Sequence, residues 1–350
     1  MLFTNKRELI GIDIGSSSIK MVQLKEVKGG YQLLNLGIWP LPSEAIVDNT
    51  LMDSSSVVEA IRSLMKSLNV KIKDAASSVS GNSVIIRKIS LPVMSPEELE
   101  EQIHWEAEQY IPFDINDVNI DFQVLEPDEH DPSKMNVLLV ASKKDIVNDY
   151  LSVFTETGMK LLVIDVDSFA VQNTFELNYD SAPDEVCAII NIGASIMNLN
   201  VIKAGISLFT RDVQMGGNLY TEEIQRQYGL SSDEAERIKI SGDTTVADRL
   251  FELIAKVNET LALEIRRSLD FYNSNATEGK ISRVFISGGV AKTRQLAESI
   301  SQRLSLPVEL VNPFQKIKWS DKEFDAEYLQ EIAPLMSVAT GLATRRLGDK

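Results

Sequence analysis

Two short glycine turns carry residue types that could bind phosphate in this chain of 350 residues. Residues 12–17 read IDIGSS and residues 190–195 read INIGAS, so the two segments match in residue type along their length. Glycine tolerates unusual backbone angles and close approach by a ligand, and small neighbours leave backbone N–H groups exposed as a nest for an anion. One such turn is a weak signal, but the matched pair predicts a polyphosphate ligand bound by both.

The residue two places before each glycine differs between the turns. Asp13 lies at the end of a predicted buried strand, where an unpaired carboxylate would be costly, so we expect a cation beside it. Mg²⁺ bound through water is the candidate, because this ion retains several waters in protein sites. Asn191 holds the matching position in the second turn, and its amide can neither take up a proton nor add charge.

The turns open two predicted three-stranded meanders. The first covers residues 8–38, and the second begins with the apolar run at residues 186–193. An internal repeat of this length indicates a duplicated half-domain, and two halves that face each other create a cleft. The sequence therefore predicts an α/β fold in which two related halves enclose the ligand.

A separate module is predicted at residues 79–140, with three strands and one helix. The helix has a capping box, with Ser95 at the N-cap, Pro96 at the first helical position and Glu98 three residues after the cap. Its many glutamates are read as a solvated face. Its predicted apolar stripe consists of Leu99, Ile103, Ala107 and Tyr110.

Two glycine pairs occur later in the chain, in MGGN at residues 215–218 and in FISGGV at residues 285–290. A glycine pair between a strand and a helix can present the helix N-terminus to a ligand. It can equally close a tight connection. The residues alone leave both interpretations open.

The overall composition narrows the class of function. The hydrophobic content of 44% and the charged content of 25% are those of a globular protein, and the formal net charge of -16 opposes nonspecific binding to nucleic acid or to an anionic bilayer. One cysteine, Cys187, permits no internal disulfide, and one Cys with two His (His104 and His130) does not support a zinc site. No segment suggests a signal peptide or a membrane-spanning helix, so we expect a cytoplasmic protein that reaches a membrane only through a partner.

Taken in order, these motifs resemble the superfamily of ATP-binding folds that includes actin, Hsp70 and FtsA. The motifs that carry the resemblance are the two turns, Gly216-Gly217-Asn218, Ala235-Glu236 with Lys239, Gly288-Gly289, and Ala339-Thr340-Gly341 in a closing helix. Within the superfamily the chain resembles the PilM family of type IV pilus assembly proteins. Residues 106–113 (EAEQYIPF) look like a signature of that family, and the resemblance covers nearly the whole chain.

The resemblance implies an actin-like ATPase fold with an FtsA-type inserted subdomain. Residues 1–78 and 141–184 would form the first half, residues 79–140 the inserted subdomain, and residues 185–333 the second half. Residues 334–350 would form a C-terminal helix that packs back on the first half.

The resemblance also implies the site residues. The implied nucleotide-binding residues are Asp13, Gly15, Ser16, Ser17 and Lys20 at the first phosphate site, Asn191, Gly193, Ala194 and Ser195 at the second, and Gly216, Gly217, Asn218, Glu236, Lys239, Gly288 and Gly289 around ribose and adenine. Without the family context, Glu236 and Lys239 would be an ordinary surface ion pair at i,i+3 spacing.

Two positions bear on catalysis. The superfamily usually has aspartate where this chain has Asn191, oriented toward the metal and the attacking water. Asp167 occupies the place of the acid that positions water in bacterial actins, although a helix N-cap is an equally good account of it. We therefore expect ATP to be bound and hydrolysed slowly or not at all, and whether the protein is an enzyme stays open.

The function implied is that of a scaffold for pilus assembly. In the PilM family a groove beside the inserted subdomain takes up the cytoplasmic N-terminal tail of PilN as an extended peptide, and ATP would close the cleft and alter the surface offered to PilN and other inner-membrane pilus proteins. The C-terminal segment is too short and too weakly apolar to resemble the membrane anchor of FtsA. Two alternatives remain: an FtsA-like filament, which requires self-association, and a sugar or acetate kinase, for which the sequence shows no catalytic constellation.

Overall fold

Two five-stranded sheets form the centre of the molecule in the computed structural model, which describes residues 8–127, 131–241 and 247–349. The elements of the first part of the chain are β1 (Ile10–Ile14), β2 (Ser18–Val27), β3 (Gly30–Pro40), β4 (Ile46–Val47), β5 (Thr50–Leu51), α1 (Ser54–Ser67), β6 (Asp74–Val79), β7 (Val84–Pro92), α2 (Pro96–Ala107), β8 (Val118–Pro127), β9 (Lys134–Lys143), α3 (Lys144–Thr157), β10 (Lys160–Val166) and α4 (Asp167–Asn178).

The remaining elements include the longest helix. They are β11 (Val186–Ile192), β12 (Met197–Lys203), β13 (Ile206–Val213), α5 (Asn218–Tyr228), α6 (Ser232–Ser241), α7 (Ala247–Asn275), β14 (Arg283–Ser287), α8 (Leu296–Leu304), β15 (Val308–Leu310), α9 (Ala326–Ile332) and α10 (Ser337–Thr344).

The two sheets have the same topology. The first has the order β10-β6-β1-β2-β3 and the second the order β15-β14-β11-β12-β13. In each, three antiparallel strands continue into two parallel strands on the other side of the first strand. The predicted duplication is therefore confirmed at the level of strand order and direction.

Helices α4 and α10 lie in the layer between the sheets. Strand β1 is buried along its whole length because α1 and α3 cover one face of its sheet and α10 covers the other. Contact with α10 is so close that a Cβ on Gly11 would lie 2.0 Å from the Ala339 carbonyl oxygen. A Cβ on Gly341 would likewise lie 1.7 Å from the Ala170 carbonyl oxygen, so the glycine in the closing helix permits α10 to pack on α4. This central layer fixes how the two halves face each other.

A three-stranded sheet of order β7-β9-β8 forms the inserted region. Helix α2 packs on one face of it through Leu99, Ile103 and Ala107, and its N-terminus has the predicted capping box between Ser95 and Glu98. The other face of the sheet turns toward β10 and α4. The sequence-based domain boundaries at residues 79, 141, 185 and 334 stay predictions.

Two local predictions were wrong. Tyr110 does not extend the apolar stripe of α2, because the helix ends at Ala107 and the Tyr110 side chain is 38% exposed. The C-terminal helix, expected within residues 334–350, covers only Ser337–Thr344. Residues 288–295 form consecutive turns and Gln295 has a left-handed backbone, so α8 starts at Leu296. His130 lies outside the described residues.

No helix within the described ranges is both long and apolar enough to cross a membrane.

Candidate functional site

The two glycine turns meet in the cleft between the sheets. Each turn is closed by the same backbone hydrogen bond: Gly15 N donates to the Ser18 carbonyl at 3.2 Å, and Gly193 N donates to the Ile196 carbonyl at 2.9 Å. The hydroxyl oxygens of Ser16 and Ser195 lie 2.9 Å apart and form a hydrogen bond between the turns. Two segments that are 179 residues apart in the chain thus form one site.

Backbone N–H groups at the tips of both turns remain available to a ligand. Those of Ser16, Ser17, Ala194 and Ser195 have no hydrogen-bond acceptor within the described part of the chain. All four residues line a cavity of about 70 Å³ between the turns. Successive free amides around a small cavity are suited to binding an anion.

The structure places every predicted phosphate-site residue around this cavity, but five of the seven residues predicted around ribose and adenine lie away from it. The predicted residues that line it are Asp13, Gly15, Ser16, Ser17, Lys20, Asp167, Asn191, Gly193, Ala194, Ser195, Gly288 and Gly289. Gly216, Gly217, Asn218, Glu236 and Lys239 do not line it.

The residues outside the cavity lie behind the second turn. Gly217 N donates to the Gly193 carbonyl at 2.9 Å, and Asn218 N donates to the Ala194 carbonyl at 2.8 Å. The Lys239 ammonium forms an ion pair with Glu236 and lies 3.5 Å from the Gly217 carbonyl oxygen. Glu236 and Lys239 are therefore tied to the segment that supports the turn, which an isolated surface pair would not be.

Gly288 is required by the backbone itself. Its φ of +88° lies in the left-handed region, and a Cβ there would be 2.3 Å from the Ile192 carbonyl oxygen and 2.8 Å from Asn191 Oδ1. Gly289 is different, because the nearest atom to its Cβ would be Leu335 Cγ at 3.9 Å. The first glycine of this pair thus closes a tight connection beneath the second turn, while the second has room for a side chain.

Asp13 is nearly buried and already has a charged neighbour. It lies opposite Lys20 in the β1–β2 register, and Lys20 Nζ is 3.3 Å from Asp13 Oδ2. The lysine also donates to the Ser18 carbonyl at 3.2 Å. The positive charge expected beside Asp13 is therefore supplied in part by the chain.

Asp167 faces the cavity rather than capping its helix. The N-cap of α4 is Val166, so the interpretation of Asp167 as the N-cap was wrong. Its carboxylate accepts a 2.6 Å hydrogen bond from the Ser78 hydroxyl. Burial, followed by the nearby charge of Asp13, raises the pKa of Asp167 to about 6, and hydrogen bonds from Ser78 and Ser80 oppose this rise.

Four polar residues of the cavity lining were not predicted: Asn49, Ser78, Ser80 and Tyr150. Asn49 Nδ2 donates to the Ser80 carbonyl at 3.0 Å. Burial and the charges of Asp167 and Asp13 raise the pKa of the Tyr150 phenol. A signal for the serines was present, because the run SSVS at residues 77–80 ends a strand parallel to β1, and carboxyl ends of parallel strands share one edge of a sheet.

The Asn191 amide is hydrogen-bonded to side chains of the two neighbouring strands. Its Oδ1 accepts from the Ser287 hydroxyl at 3.2 Å, and its Nδ2 donates to Asn198 Oδ1 at 3.1 Å. An aspartate could accept the first of these bonds but could not make the second. Asparagine at this position therefore makes a hydrogen bond within the second half that an aspartate could not make.

A second concave region, which we call the subdomain groove, lies between the β7-β9-β8 sheet and the β10–α4 segment and has a volume of about 310 Å³. Its apolar lining residues are Leu125, Leu138, Val140, Ile164, Val166, Phe169 and Ile206. Asp165 and Arg345 also line it and form an ion pair with 3.2 Å between Oδ2 and Nε. Burial raises the pKa of Asp165, and the Arg345 charge opposes this rise.

Three hydrogen-bonded polar groups lie along one side of the groove: the side chains of Gln172 and Glu176 on α4 and the Gly205 carbonyl. Gln172 Nε2 donates to Glu176 Oε1 at 2.7 Å and to the Gly205 carbonyl at 2.8 Å. Burial raises the pKa of Glu176. The groove thus combines an apolar wall with fixed polar groups, as peptide-binding channels do.

The duplicated sheets, the paired turns and the inserted sheet define a member of the actin-like ATPase fold. The sequence model of the type IV pilus assembly protein PilM family matches residues 11–347, so the chain belongs to that family.

The similar proteins agree with this assignment. A structure described as the PilM-PilN type IV pilus biogenesis complex is 30% identical, covers 97% of this chain and 98% of that chain, and has a TM-score of 0.87. The ethanolamine utilization protein EutJ from Carboxydothermus hydrogenoformans is 14% identical over 96% of this chain and 89% of its own, with a TM-score of 0.59, and shows the fold alone. The cell division protein FtsA of Bacillus subtilis (strain 168) is 25% identical over an alignment of 259 residues, and the match covers 67% of this chain. The match spans 58% of the FtsA chain, which is less than two thirds of its length.

Proposed function

We propose that this protein is an ATP-binding scaffold of type IV pilus assembly that binds the cytoplasmic N-terminal tail of PilN and couples nucleotide state to assembly of the complex. The observation that carries the nucleotide part is the meeting of the two turns, with free backbone amides on both sides of one cavity. The partner is supported by the likeness to the chain in the PilM-PilN complex.

The cavity fits the phosphates of ATP better than the whole nucleotide. Its volume of about 70 Å³ is well below the roughly 300–1,000 Å³ of pockets that hold drug-sized ligands. Entry of ATP therefore requires the turns to separate, and the Ser16–Ser195 hydrogen bond must break. Loss of this hydroxyl contact costs little, because such a bond contributes about 1 kcal/mol net.

The residues around the first turn also fit Mg²⁺ bound through water. Asp13 and Asp167 are close enough for the charge of Asp13 to raise the pKa of Asp167, so a divalent cation would relieve their repulsion. In the described residues no group of three or more His, Cys, Asp or Glu could enclose a metal ion. That arrangement suits Mg²⁺, which is bound by one or two carboxylates, by substrate phosphates and by several waters.

Hydrolysis is proposed to be slow or absent. Asp167 is the proposed group for positioning water, since with a pKa of about 6 it is mostly ionised at pH 7. Asn191 cannot accept a proton, and its amide is already hydrogen-bonded to Asn198. The second turn therefore adds no general base to the site.

The subdomain groove is the proposed site for the PilN tail. Its apolar residues on β8, β9 and α4 offer side-chain pockets for an extended peptide. The buried Asp165–Arg345 pair provides an acceptor and donors at the same place. Through this tail the protein would be peripheral at the inner membrane, next to other inner-membrane pilus assembly proteins.

The two alternative functions have unequal support. The match to a family of assembly proteins gives no support to a sugar or acetate kinase. The match to FtsA keeps a filament-forming protein with self-association as the second candidate. Sedimentation of the purified protein with and without ATP and Mg²⁺ tests it, and the appearance of pelletable polymer would favour the filament over the scaffold.

Peptide binding tests the groove directly. We expect a synthetic PilN-tail peptide to bind the wild-type protein in isothermal titration calorimetry, and Gln123→Trp to weaken it at least about tenfold by filling the groove. The matched control is Val124→Trp, because adjacent residues of a strand point to opposite faces of the sheet. Equal affinity of the peptide for the Gln123→Trp and Val124→Trp proteins would exclude this groove as the site.

A further inference from the structure

A line of hydrogen bonds leads from the second turn to the inserted subdomain. Asn191 Nδ2 donates to Asn198 Oδ1 at 3.1 Å, and Asn198 Nδ2 donates to Asp212 Oδ1 at 2.8 Å. The other oxygen of this carboxylate, Asp212 Oδ2, accepts the backbone N–H of Gly81 at 2.6 Å. We call these four residues the Asp212 chain.

The Asp212 carboxylate fixes which group donates in each hydrogen bond of the Asp212 chain. A carboxylate only accepts hydrogen bonds, so the Asn198 amide must present its NH₂ to Asp212 and its oxygen to residue 191. Residue 191 must then donate, which asparagine does and aspartate does not. The amide at residue 191 and the acid at residue 212 are consequently two parts of one arrangement.

Gly81 connects this arrangement to the first half. It has a φ of +80°, follows Ser80 of the cavity lining, and lies three residues before Val84, the first residue of β7. The Asn49 amide that donates to the Ser80 carbonyl lies so close that a Cβ on Gly81 would be 2.3 Å from its nitrogen. A shift of Gly81 therefore moves the base of the inserted sheet against a fixed neighbour.

Strand β13 links the chain to the subdomain groove. Asp212 lies near the end of β13, while its first residues, Ile206 and Ser207, line the groove together with Gly205. The opposite wall contains Leu138 and Val140 of the inserted sheet. One strand thus contacts the groove at its start and the base of the inserted sheet near its end.

We propose that Asp212 couples the second phosphate-binding turn to the inserted subdomain, so that nucleotide bound at the turns changes the subdomain groove through Asn191, Asn198 and Gly81. This inference rests on the proposed function and names the regulation of its peptide site. Nucleotide that separates the turns displaces Asn191, and the chain passes that displacement to Gly81. The coupling is reciprocal, so peptide in the groove changes ATP affinity by the same factor.

The test compares PilN-tail affinity with and without ATP and Mg²⁺ in Asp212→Asn. Asparagine has the size of aspartate but one acceptor oxygen, so it keeps at most one of the two accepted bonds. We expect an ATP-induced change of about fivefold or more in the wild type, the lower end of usual allosteric coupling, and less than about twofold in Asp212→Asn. Peptide affinity without ATP, ATP affinity without peptide, and thermal unfolding show that the variant is folded.

Lys88→Ala is the matched control. Lys88 also joins the inserted sheet to the second half, through a 3.6 Å ion pair with Glu278, but it makes no contact with the turns. It should retain the ATP-induced change. Asn198→Ala interrupts the chain one step earlier and should lose the ATP-induced change like Asp212→Asn, which guards against a folding defect particular to one variant.

The outcomes separate the two proposals. An ATP-induced change that persists in Asp212→Asn and Asn198→Ala overturns the Asp212 chain and leaves the proposed function intact. If ATP does not change the peptide affinity of the wild type, then both the coupling in the proposed function and the coupling through the Asp212 chain are wrong. Hydrogen exchange of residues 81–92 with and without ATP needs no peptide: a wild-type difference that Asp212→Asn abolishes supports the chain, and no wild-type difference overturns it.

Discussion

The first and second turns have matching sequences and the same backbone closure, yet they hold their ligand-facing groups differently. The first turn is electrostatic and local, because Asp13 pairs with Lys20 on the neighbouring strand and acts on Asp167 through space. The second turn is neutral and is connected to distant residues by the amides of Asn191 and Asn198. The same backbone turn therefore holds a charged carboxylate in the first copy and, in the second copy, a neutral amide that is hydrogen-bonded to more distant residues.

The largest expected effect is on the backbone beneath the second turn. Gly288→Ala places a Cβ 2.3 Å from the Ile192 carbonyl oxygen at a left-handed φ, so we expect it to lower the free energy of unfolding by about 3 kcal/mol or more. Gly289→Ala is the adjacent control and should change it by less than about 1 kcal/mol, since its Cβ would meet Leu335 Cγ at 3.9 Å, an ordinary van der Waals distance. Urea unfolding measures both, and equal midpoints would contradict the assignment of the tight connection to Gly288.

The raised pKa of Asp167 beside the first turn predicts that Asp167→Asn changes the free energy of unfolding in a pH-dependent way. Burial and Asp13 raise the folded-state pKa to about 6 from an unfolded value of about 3.9, so protonated Asp167 favours the folded state. This contribution is full below about pH 4 and is lost as pH rises through about 6. Removing the charge should therefore stabilise the protein by about 2–3 kcal/mol at pH 8 and by little at pH 4.

Urea midpoints of the wild type and Asp167→Asn at these two pH values test the sign. Asparagine can still accept the hydrogen bond from the Ser78 hydroxyl, so the comparison isolates the charge. A difference that is the same at pH 4 and pH 8 would mean that the Asp167 carboxylate is not destabilised in the folded protein.

The two turns should also contribute unequally to the affinity for ATP in the presence of Mg²⁺. We expect Asp13→Asn to weaken ATP binding in the presence of Mg²⁺ by about tenfold, or about 1.4 kcal/mol, and Asn191→Ala to weaken it by less than about threefold. The reason is that only the first turn supplies a carboxylate next to the cation. Calorimetry with Mg²⁺ and with EDTA measures the difference, and the exposed Asp184→Asn controls for net charge. Equal losses in Asp13→Asn and Asn191→Ala would contradict the unequal roles.

The sequence was informative where a local pattern determined local geometry. The paired turns, the capping box at Ser95 and the duplicated meanders follow from residue type and spacing, and the structure contains all three. Asp167 was ambiguous in sequence because a helix-start aspartate usually caps, and only the position of Ser78 on a parallel strand shows that it faces the cavity.

Contacts between residues that are far apart in the chain could not be predicted from the sequence. Asp212 follows a solvent-facing arginine in an ordinary strand, and nothing in its neighbourhood indicates that its carboxylate meets Gly81, 131 residues away. The close contact of Gly216 and Gly217 with the second turn was not predicted either, and their implied role around ribose and adenine stays a prediction. Such contacts depend on how the two sheets and the inserted sheet pack, which no local pattern encodes.

The smallest expected effect concerns the Ser16–Ser195 hydrogen bond between the turns. Ser16→Ala and Ser195→Ala each remove the same 2.9 Å hydrogen bond, so each should lower the free energy of unfolding by about 1 kcal/mol or less. The double variant should lose little more than either single one, because the bond can be lost only once. Purely additive losses in a double-mutant cycle would show that the hydroxyls do not interact. Since ATP must separate the turns, both single variants should also bind ATP no more slowly than the wild type, which stopped-flow binding can measure.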